Sequence, residues 1–179
     1  MIRSRGLKTE YSPVTKVSDN VYYIRWDYKP EMDKIEQKNE LSGETEVIEQ
    51  ETDYATWMVE IFHHKPILSY IKKMILDWNN KQVDYKILNN FVWNDMKIWL
   101  STENQFNYKA AYDLAVQTNG ANLPIVFKFG TTEEPVYHNF ETLEDLSDFY
   151  ISAMTYINNT LAEGWNKKDS IDWSVYNIE

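Results

Sequence analysis

The chain has 179 residues, a length that suits one domain or one domain with an extension. Hydrophobic residues make up 43% of it and aromatic residues 15%, which is enough to bury a core and argues against global disorder. A net charge of −10 and a pI near 4.8 disfavour a general nucleic-acid-binding role, because phosphate backbones would repel the chain. No stretch is apolar enough to span a membrane, and the first eight residues lack the apolar run of a secretion signal.

Residues that support common catalytic chemistry are scarce. The absence of cysteine excludes disulfides, thiolate metal sites and cysteine nucleophiles, and the glycines are too widely spaced for a phosphate-binding loop. Glu60, His63 and His64 could hold a metal only if their strand were bent, since neighbouring strand residues point to opposite faces. No serine lies in a nucleophile elbow. We therefore expect no catalytic residue, no cofactor and no metal.

Opposite charges are concentrated in two segments near the N-terminus. Residues 31–53, the acidic arm, contain nine acids against Lys34 and Lys38, and they contain no aromatic residue. Residues 41–45 predict a turn at the centre of this arm. The pattern indicates a solvated loop or the exposed tip of a long hairpin, or alternatively a device that meets a basic surface on a partner.

The first sixteen residues are basic, with Arg3, Arg5, Lys8 and Lys16 against Glu10 alone. Their apolar side chains show no helical or strand period. We expect residues 1–16 to be extended and to become ordered only against a neighbouring chain. Residues 1–20 are therefore interpreted as an extended basic N-terminal arm.

Alternating patterns predict strands at residues 21–28 and 54–63, paired antiparallel with the acidic arm as their connection. Pro66 then opens a helical pattern that we expect to stop at Asn79-Asn80. These elements make up a second region, residues 21–80.

The clearest local signal is a hairpin over residues 91–100, with a two-residue turn at Asn94-Asp95. It pairs Trp93 with Met96 and Phe91 with Ile98. Those side chains and Leu100 share the predicted inner face, and Val92, Lys97 and Trp99 share the outer one.

A helix is predicted from the capping-box spacing at residues 102–105 to Asn119-Gly120, with an apolar side formed by Phe106, Ala110, Leu114 and Ala115. Strands at residues 123–129 and 136–140 form another hairpin. Thr142 is expected to cap a long helix that ends at Gly164, followed by a packed tail.

Together these elements predict an α+β fold of antiparallel β-hairpins packed against a few helices, with one long C-terminal helix. Residues 81–179 form the predicted C-terminal α+β domain. The candidate interface residues are three aromatics outside the apolar stripes and four residues of the basic N-terminal arm: Trp99, Tyr108, Tyr137, Arg3, Arg5, Leu7 and Tyr11.

Residues 86–173 resemble a domain family of unknown function found in tailed phages and prophages, attached to tail-fibre and tail-fibre-assembly proteins. The residues that carry the resemblance are Trp99-Leu100-Ser101, the runs 103–107, 110–116, 123–129 and 140–146, and residues 165–168. The chain departs from the family at Gln105, where arginine is usual, and in its extra tail. These motifs are structural, so no functional residue is carried over from the family.

The resemblance implies a non-enzymatic structural or assembly protein of a tailed-phage virion, acting through protein–protein contacts in the tail, tail fibre or baseplate. Its partners would be other virion proteins, in a homo-oligomer or a symmetric hetero-assembly, with no role for nucleic acid or membrane. The chain would be made in the host cytoplasm and located in the virion tail region. One alternative is a glycan- or receptor-binding module with exposed aromatic rings lining a groove. Another is a cryptic hydrolase, in which polar side chains converge in one pocket.

Overall fold

A computed structural model describes residues 1–38 and 45–178, and the chain has an α+β fold. The turn predicted at residues 41–45 falls largely on 39–44, which lie outside the described residues. Short 3-10 helices occur at Lys8–Glu10 and Trp173–Tyr176. The longer elements, in chain order, are β1 Ile2–Leu7, β2 Val14–Ser18, β3 Val21–Lys38, β4 Thr45–Phe62, α1 Leu68–Asn89, β5 Phe91–Trp93, β6 Met96–Ile98, α2 Thr102–Gln117, β7 Ile125–Gly130, β8 Pro135–Phe140 and α3 Leu143–Asp169.

The chain divides into two compact units, residues 1–75 with 172–179, and residues 76–171. The expected division near residue 80 left the tail with the C-terminal domain, whereas the structure groups it with the first unit. Tyr176 explains the difference, because its buried ring lies in that unit and its hydroxyl donates a hydrogen bond to the Arg25 carbonyl at 3.0 Å.

The first unit contains a four-stranded antiparallel sheet with the order β1-β4-β3-β2. The predicted pairing of residues 21–28 with 54–63 is confirmed. The expectation that residues 1–16 are ordered only by a neighbouring chain is wrong. β1 pairs with β4 from Ile2↔Val59 to Leu7↔Tyr54, and β2 pairs with β3. An edge strand pairs its inward-facing backbone groups with one neighbour and leaves the others to solvent, so it can join a sheet without a strong apolar period.

Both faces of this sheet bury side chains. Tyr22 pairs with Phe62 and Trp26 pairs with Met58, so their face is opposite to the one that carries Trp57. Tyr22, Trp26 and Phe62 are buried on the first face, and Trp57 is buried on the second. The central strands are therefore covered more completely than the half-buried strands that the alternation predicted.

The predicted alternation of β3 stops at Asp27, which has a positive φ of 54°. The register of the β3–β4 pair shifts between Trp26 and Lys29. Such a bulge changes the direction of the side chains that follow it, and Tyr28 is consequently exposed instead of buried.

The second unit is built around one aromatic-rich core. The predicted hairpin register is confirmed, with Phe91 opposite Ile98 and Trp93 opposite Met96. Val92 is 53% exposed, whereas Trp93 is only 5% exposed. The other buried members of this core are Leu100, Tyr108, Ala115, Phe129, Phe140, Leu146, Phe149, Ala153 and Ile157.

Helix α2 buries a face that differs from the predicted one, since of the predicted residues Phe106, Ala110, Leu114 and Ala115 only Ala115 is buried. Phe106 and Leu114 are 70% and 50% exposed, whereas Tyr108 is buried. The sequence has a second apolar stripe formed by Tyr108, Tyr112 and Ala115. The two tyrosine rings of this stripe pack against the aromatic core of the unit. The helix also begins one residue earlier than the capping pattern suggested, because Ser101 accepts the hydrogen bond from the Asn104 backbone N–H at 3.2 Å.

Two predicted helix ends lie inside helices. Helix α1 continues past Asn79-Asn80 to Asn89, and α3 continues past Gly164 to Asp169. Asn79 is buried and its Nδ2 donates to the Gly164 carbonyl at 3.1 Å. A Cβ at Gly164 would collide with Val83. These residues are therefore a helix–helix contact, which explains why residue types typical of helix ends occur within the helices.

Replacing Gly164 with alanine is expected to lower the free energy of unfolding by about 1–3 kcal/mol, because overpacking outweighs the better helix propensity of alanine. Denaturant titration would measure the loss. The double variant Gly164→Ala/Val83→Ala should recover most of it, since the shorter side chain at residue 83 vacates the space. Equal instability in both variants would contradict this contact.

Candidate functional site

The acidic arm is a two-stranded ribbon at the far ends of β3 and β4. From Met32↔Glu51 to Lys38↔Thr45 the two strands pair only with each other, since β1 reaches no further than Tyr54 and β2 no further than Ile24. Seven residues of each strand correspond to roughly 23 Å. All side chains at 32–37 and 45–51 are exposed. The part of the acidic arm that the structure describes is thus the two paired strands of a long hairpin, which agrees with the hairpin alternative of the sequence analysis.

Each face of this ribbon combines apolar and acidic side chains. Ile35 lies opposite Ile48 on one face, and Glu36 lies opposite Val47 on the other. Val47 is 62% exposed. In the described residues the carboxylates of Asp33, Glu36, Glu46 and Glu49 have no ion-pair partner. One face therefore combines Ile35 and Ile48 with Asp33 and Glu46, and the other combines Val47 with Glu36, Glu49 and the lysine Lys34.

The base of the acidic arm is neutralised by the N-terminal segment of the same chain. Arg5 donates two hydrogen bonds to the Glu31 carboxylate, from Nε at 2.7 Å and from Nη2 at 2.8 Å, and its guanidinium lies 4.1 Å from the centre of the Tyr54 ring. Lys8 Nζ lies 2.6 Å from Glu51. The Arg5 guanidinium lowers the pKa of the Glu31 carboxyl, so Glu31 stays ionised. The sequence predicted the basic N-terminal segment and the acidic arm as two separate contact surfaces. At the base of the arm their charges instead pair with each other.

A groove of about 550 Å³ opens at this base. Its lining includes Arg5, Glu31, Asp33 and Asp53 together with the ring of Tyr54. Glu31 is paired with Arg5, which also lies over the Tyr54 ring, whereas Asp33 and Asp53 have no ion-pair partner among the described residues. These two carboxylates favour an ammonium or guanidinium group over an anion.

The other candidate interface residues of the N-terminal segment also have partners within the chain. Arg3 donates to the Asp27 carbonyl at 3.0 Å and pairs with the Asp27 carboxylate. Tyr11 is half-buried, with its ring centre 4.7 Å from that of Tyr28 and 5.5 Å from that of Trp57. Leu7 is 39% exposed at the outer edge of the sheet.

Of the three aromatic candidates in the second unit, Trp99 and Tyr137 are exposed and Tyr108 is not. Tyr108 packs against Phe127 and Phe149, with ring centres 4.8 and 5.0 Å away, so the expectation of an interface role for it is wrong. The i, i+4, i+7 spacing of Tyr108, Tyr112 and Ala115 could have identified it as a core residue.

Burial raises the pKa of Tyr108 to about 12. In the unfolded chain a tyrosine ionises near pH 10, so the folded state binds this proton more tightly. The ionisation of Tyr108 therefore leaves the free energy of unfolding unchanged below about pH 10 and lowers it as the pH rises from about 10 to 12. We expect Tyr108→Phe to flatten that alkaline decline, by up to about 2 kcal/mol, in thermal melts recorded across this range. An unchanged decline would contradict the assignment.

Within residues 1–38 and 45–178, no group of three or more His, Asp or Glu side chains is arranged to hold a metal ion. In the same residues no helix is both long and apolar enough to cross a membrane. A scan of protein-family models, a search of curated proteins and a search of solved structures each found no match to this chain.

Proposed function

We propose that the chain is a non-enzymatic structural or assembly protein that uses its acidic arm to bind a basic surface on a partner protein. The observation that carries this proposal is the two-stranded ribbon, in which the side chains of residues 32–37 and 45–51 are exposed on both faces. A two-stranded ribbon is only marginally stable in water, so a partner that covers it would also order it.

The charges of the arm indicate the character of the partner. Asp33, Glu36, Glu46 and Glu49 lack cations within the described residues, so a surface rich in lysine or arginine would complement them. Ile35, Ile48 and Val47 lie between those acids and would supply apolar contact area. The groove beside Tyr54 would accept one basic side chain of that partner.

The placement in a tailed-phage particle is proposed from the resemblance of residues 86–173. In a tail, tail fibre or baseplate the partner would be another virion protein or a further copy of this chain in a symmetric assembly. The hydrolase alternative has less support, because the Glu31 carboxylate in the groove is already paired with Arg5 through two hydrogen bonds.

Cross-linking within phage-producing cells would test the proposal. Lys34 lies on the arm, and an amine-reactive cross-linker should join it to lysines of a virion protein. Lys65, which is exposed outside the arm, is the matched control and should yield few such products. Lys34 products confined to one virion protein would support the proposal. Equal labelling of both lysines by unrelated proteins, or absence of the chain from particles and assembly intermediates, would overturn it.

A further inference from the structure

A second surface lies in the unit formed by residues 76–171, where a cleft of about 320 Å³ opens between the end of α1 and the strands β6 and β7. Tyr85 and Trp99 supply its aromatic rings and are 62% and 52% exposed. This volume is at the lower end of the roughly 300–1,000 Å³ of small-molecule sites. Neither ring is needed to fill the core of the unit, because that core is built from other aromatic residues.

Polar groups in the cleft converge on the same opening. Asn89, Asn90 and Lys97 line it together with Thr131. Asn89 Nδ2 donates to the Tyr85 carbonyl at 2.9 Å, which fixes this amide and leaves its oxygen as an acceptor. Lys97 has no carboxylate partner within the described residues. The cleft thus offers amide donors and acceptors and one unpaired cation beside two exposed rings.

From this combination we propose that the cleft is a saccharide-binding site with a preference for carboxylated sugars. An aromatic ring has a negative face, which attracts the weakly positive C–H groups on one side of a pyranose. The amides of Asn89 and Asn90 bind hydroxyl groups at the sugar's edge, since each amide can both donate and accept. The ammonium of Lys97 pairs with the carboxylate of a uronic or sialic acid.

Exposed tyrosine and tryptophan rings also bind proline-rich peptides, but the polar lining of this cleft favours a sugar. Proline-rich segments are recognised mainly through aromatic grooves that accept their rings. Two neighbouring asparagines, a threonine and a free lysine would be left facing apolar proline side chains in such a complex. A hydroxylated, anionic ligand offers hydrogen-bond or ion-pair partners to all four of these side chains.

The test is a glycan array that carries neutral and acidic saccharides, followed by titration of the best-bound free saccharide against the purified chain by nuclear magnetic resonance. Trp99→Ala should weaken binding at least tenfold. Trp165→Ala is the matched control, because Trp165 is 56% exposed in the same unit but does not line the cleft, and it should leave the affinity unchanged.

Charge selection is tested separately with Lys97→Gln, which should reduce the preference for acidic over neutral saccharides several-fold and leave neutral binding intact. Lys128→Gln is its control, since Lys128 is an exposed lysine of β7 outside the cleft. Binding to no saccharide on the array would overturn the proposal. So would equal losses in Trp99→Ala and Trp165→Ala, or saturable binding of a proline-rich peptide that a bound sugar fails to displace. None of these outcomes bears on the acidic arm, so the two proposals fail separately.

Discussion

Replacing Trp93 with alanine is expected to lower the free energy of unfolding of its unit by about 3–5 kcal/mol, the range for removal of a large buried aromatic. The Trp93 ring stacks on Phe140 with ring centres 5.6 Å apart and meets the edge of Phe149 at 5.2 Å. Its indole N–H also donates to Asp148 at 2.8 Å. The substitution would therefore open a cavity and leave a carboxylate without its donor.

Denaturant titration followed by near-ultraviolet circular dichroism would measure this effect. Trp93→Phe should show a smaller loss, because a ring is kept and only part of the buried volume is lost together with the hydrogen bond to Asp148. Val92→Ala, at an exposed position on the other face of the same strand, should stay within about 0.5 kcal/mol of the parent chain. Similar losses at residues 92 and 93 would mean that the hairpin register is wrong by one residue.

The second large effect is expected at Trp57 in the four-stranded sheet, where alanine should again lower the free energy of unfolding by about 3–5 kcal/mol. The Trp57 ring lies against Gly6 of β1, where an added Cβ would come within 2.8 Å of its Cη2 atom. It also packs on Tyr11, which follows the first strand. Loss of the ring removes the main buried contact that fastens residues 1–11 to the sheet.

Hydrogen exchange would report that release directly. In Trp57→Ala the amides of β1 should lose protection more than those of β3, because β1 is an edge strand held by one neighbour. Ile61→Ala, an exposed position of the same strand, is the control and should leave protection of β1 unchanged. Full protection of β1 in Trp57→Ala would show that Trp57 is not what holds it.

Local patterns predicted those parts of the fold in which a single face is buried. The hairpin around Asn94-Asp95 has an unambiguous inner face, so its register follows from alternation alone. Thr142 likewise caps α3 as its sequence suggests, accepting a hydrogen bond from the Asp145 backbone N–H at 3.1 Å.

Tertiary contacts decide the parts that the patterns missed. Helix α2 carries two apolar stripes, and only the aromatic core around Phe149 selects the stripe of Tyr108 over that of Phe106. Asn79 and Gly164 are residue types that end helices when solvent surrounds them. Here a hydrogen bond between them, and the lack of space beside Val83, make them interior positions.

The sequence predicted the charges of the candidate site but not which of them pair in the fold. Composition identified the acidic arm, and residue counts identified the basic N-terminal segment. The pairing of Arg5 with Glu31 joins residues 26 positions apart, and it depends on β1 and β3 both pairing with β4. No local period encodes that arrangement, so the sequence alone predicts two independent contact devices.

The central claim is that the acidic arm serves partner binding and contributes little to the fold. It is tested by replacing Met32 to Thr52 with a short Gly/Ser turn and measuring both the melting temperature and the amount of chain that purified phage particles contain, by quantitative mass spectrometry. Exposed side chains and like charges stabilise little, so we expect the melting temperature to change by only a few degrees while incorporation into particles is lost. Loss of the fold, or undiminished incorporation by a chain that lacks the arm, would contradict the claim.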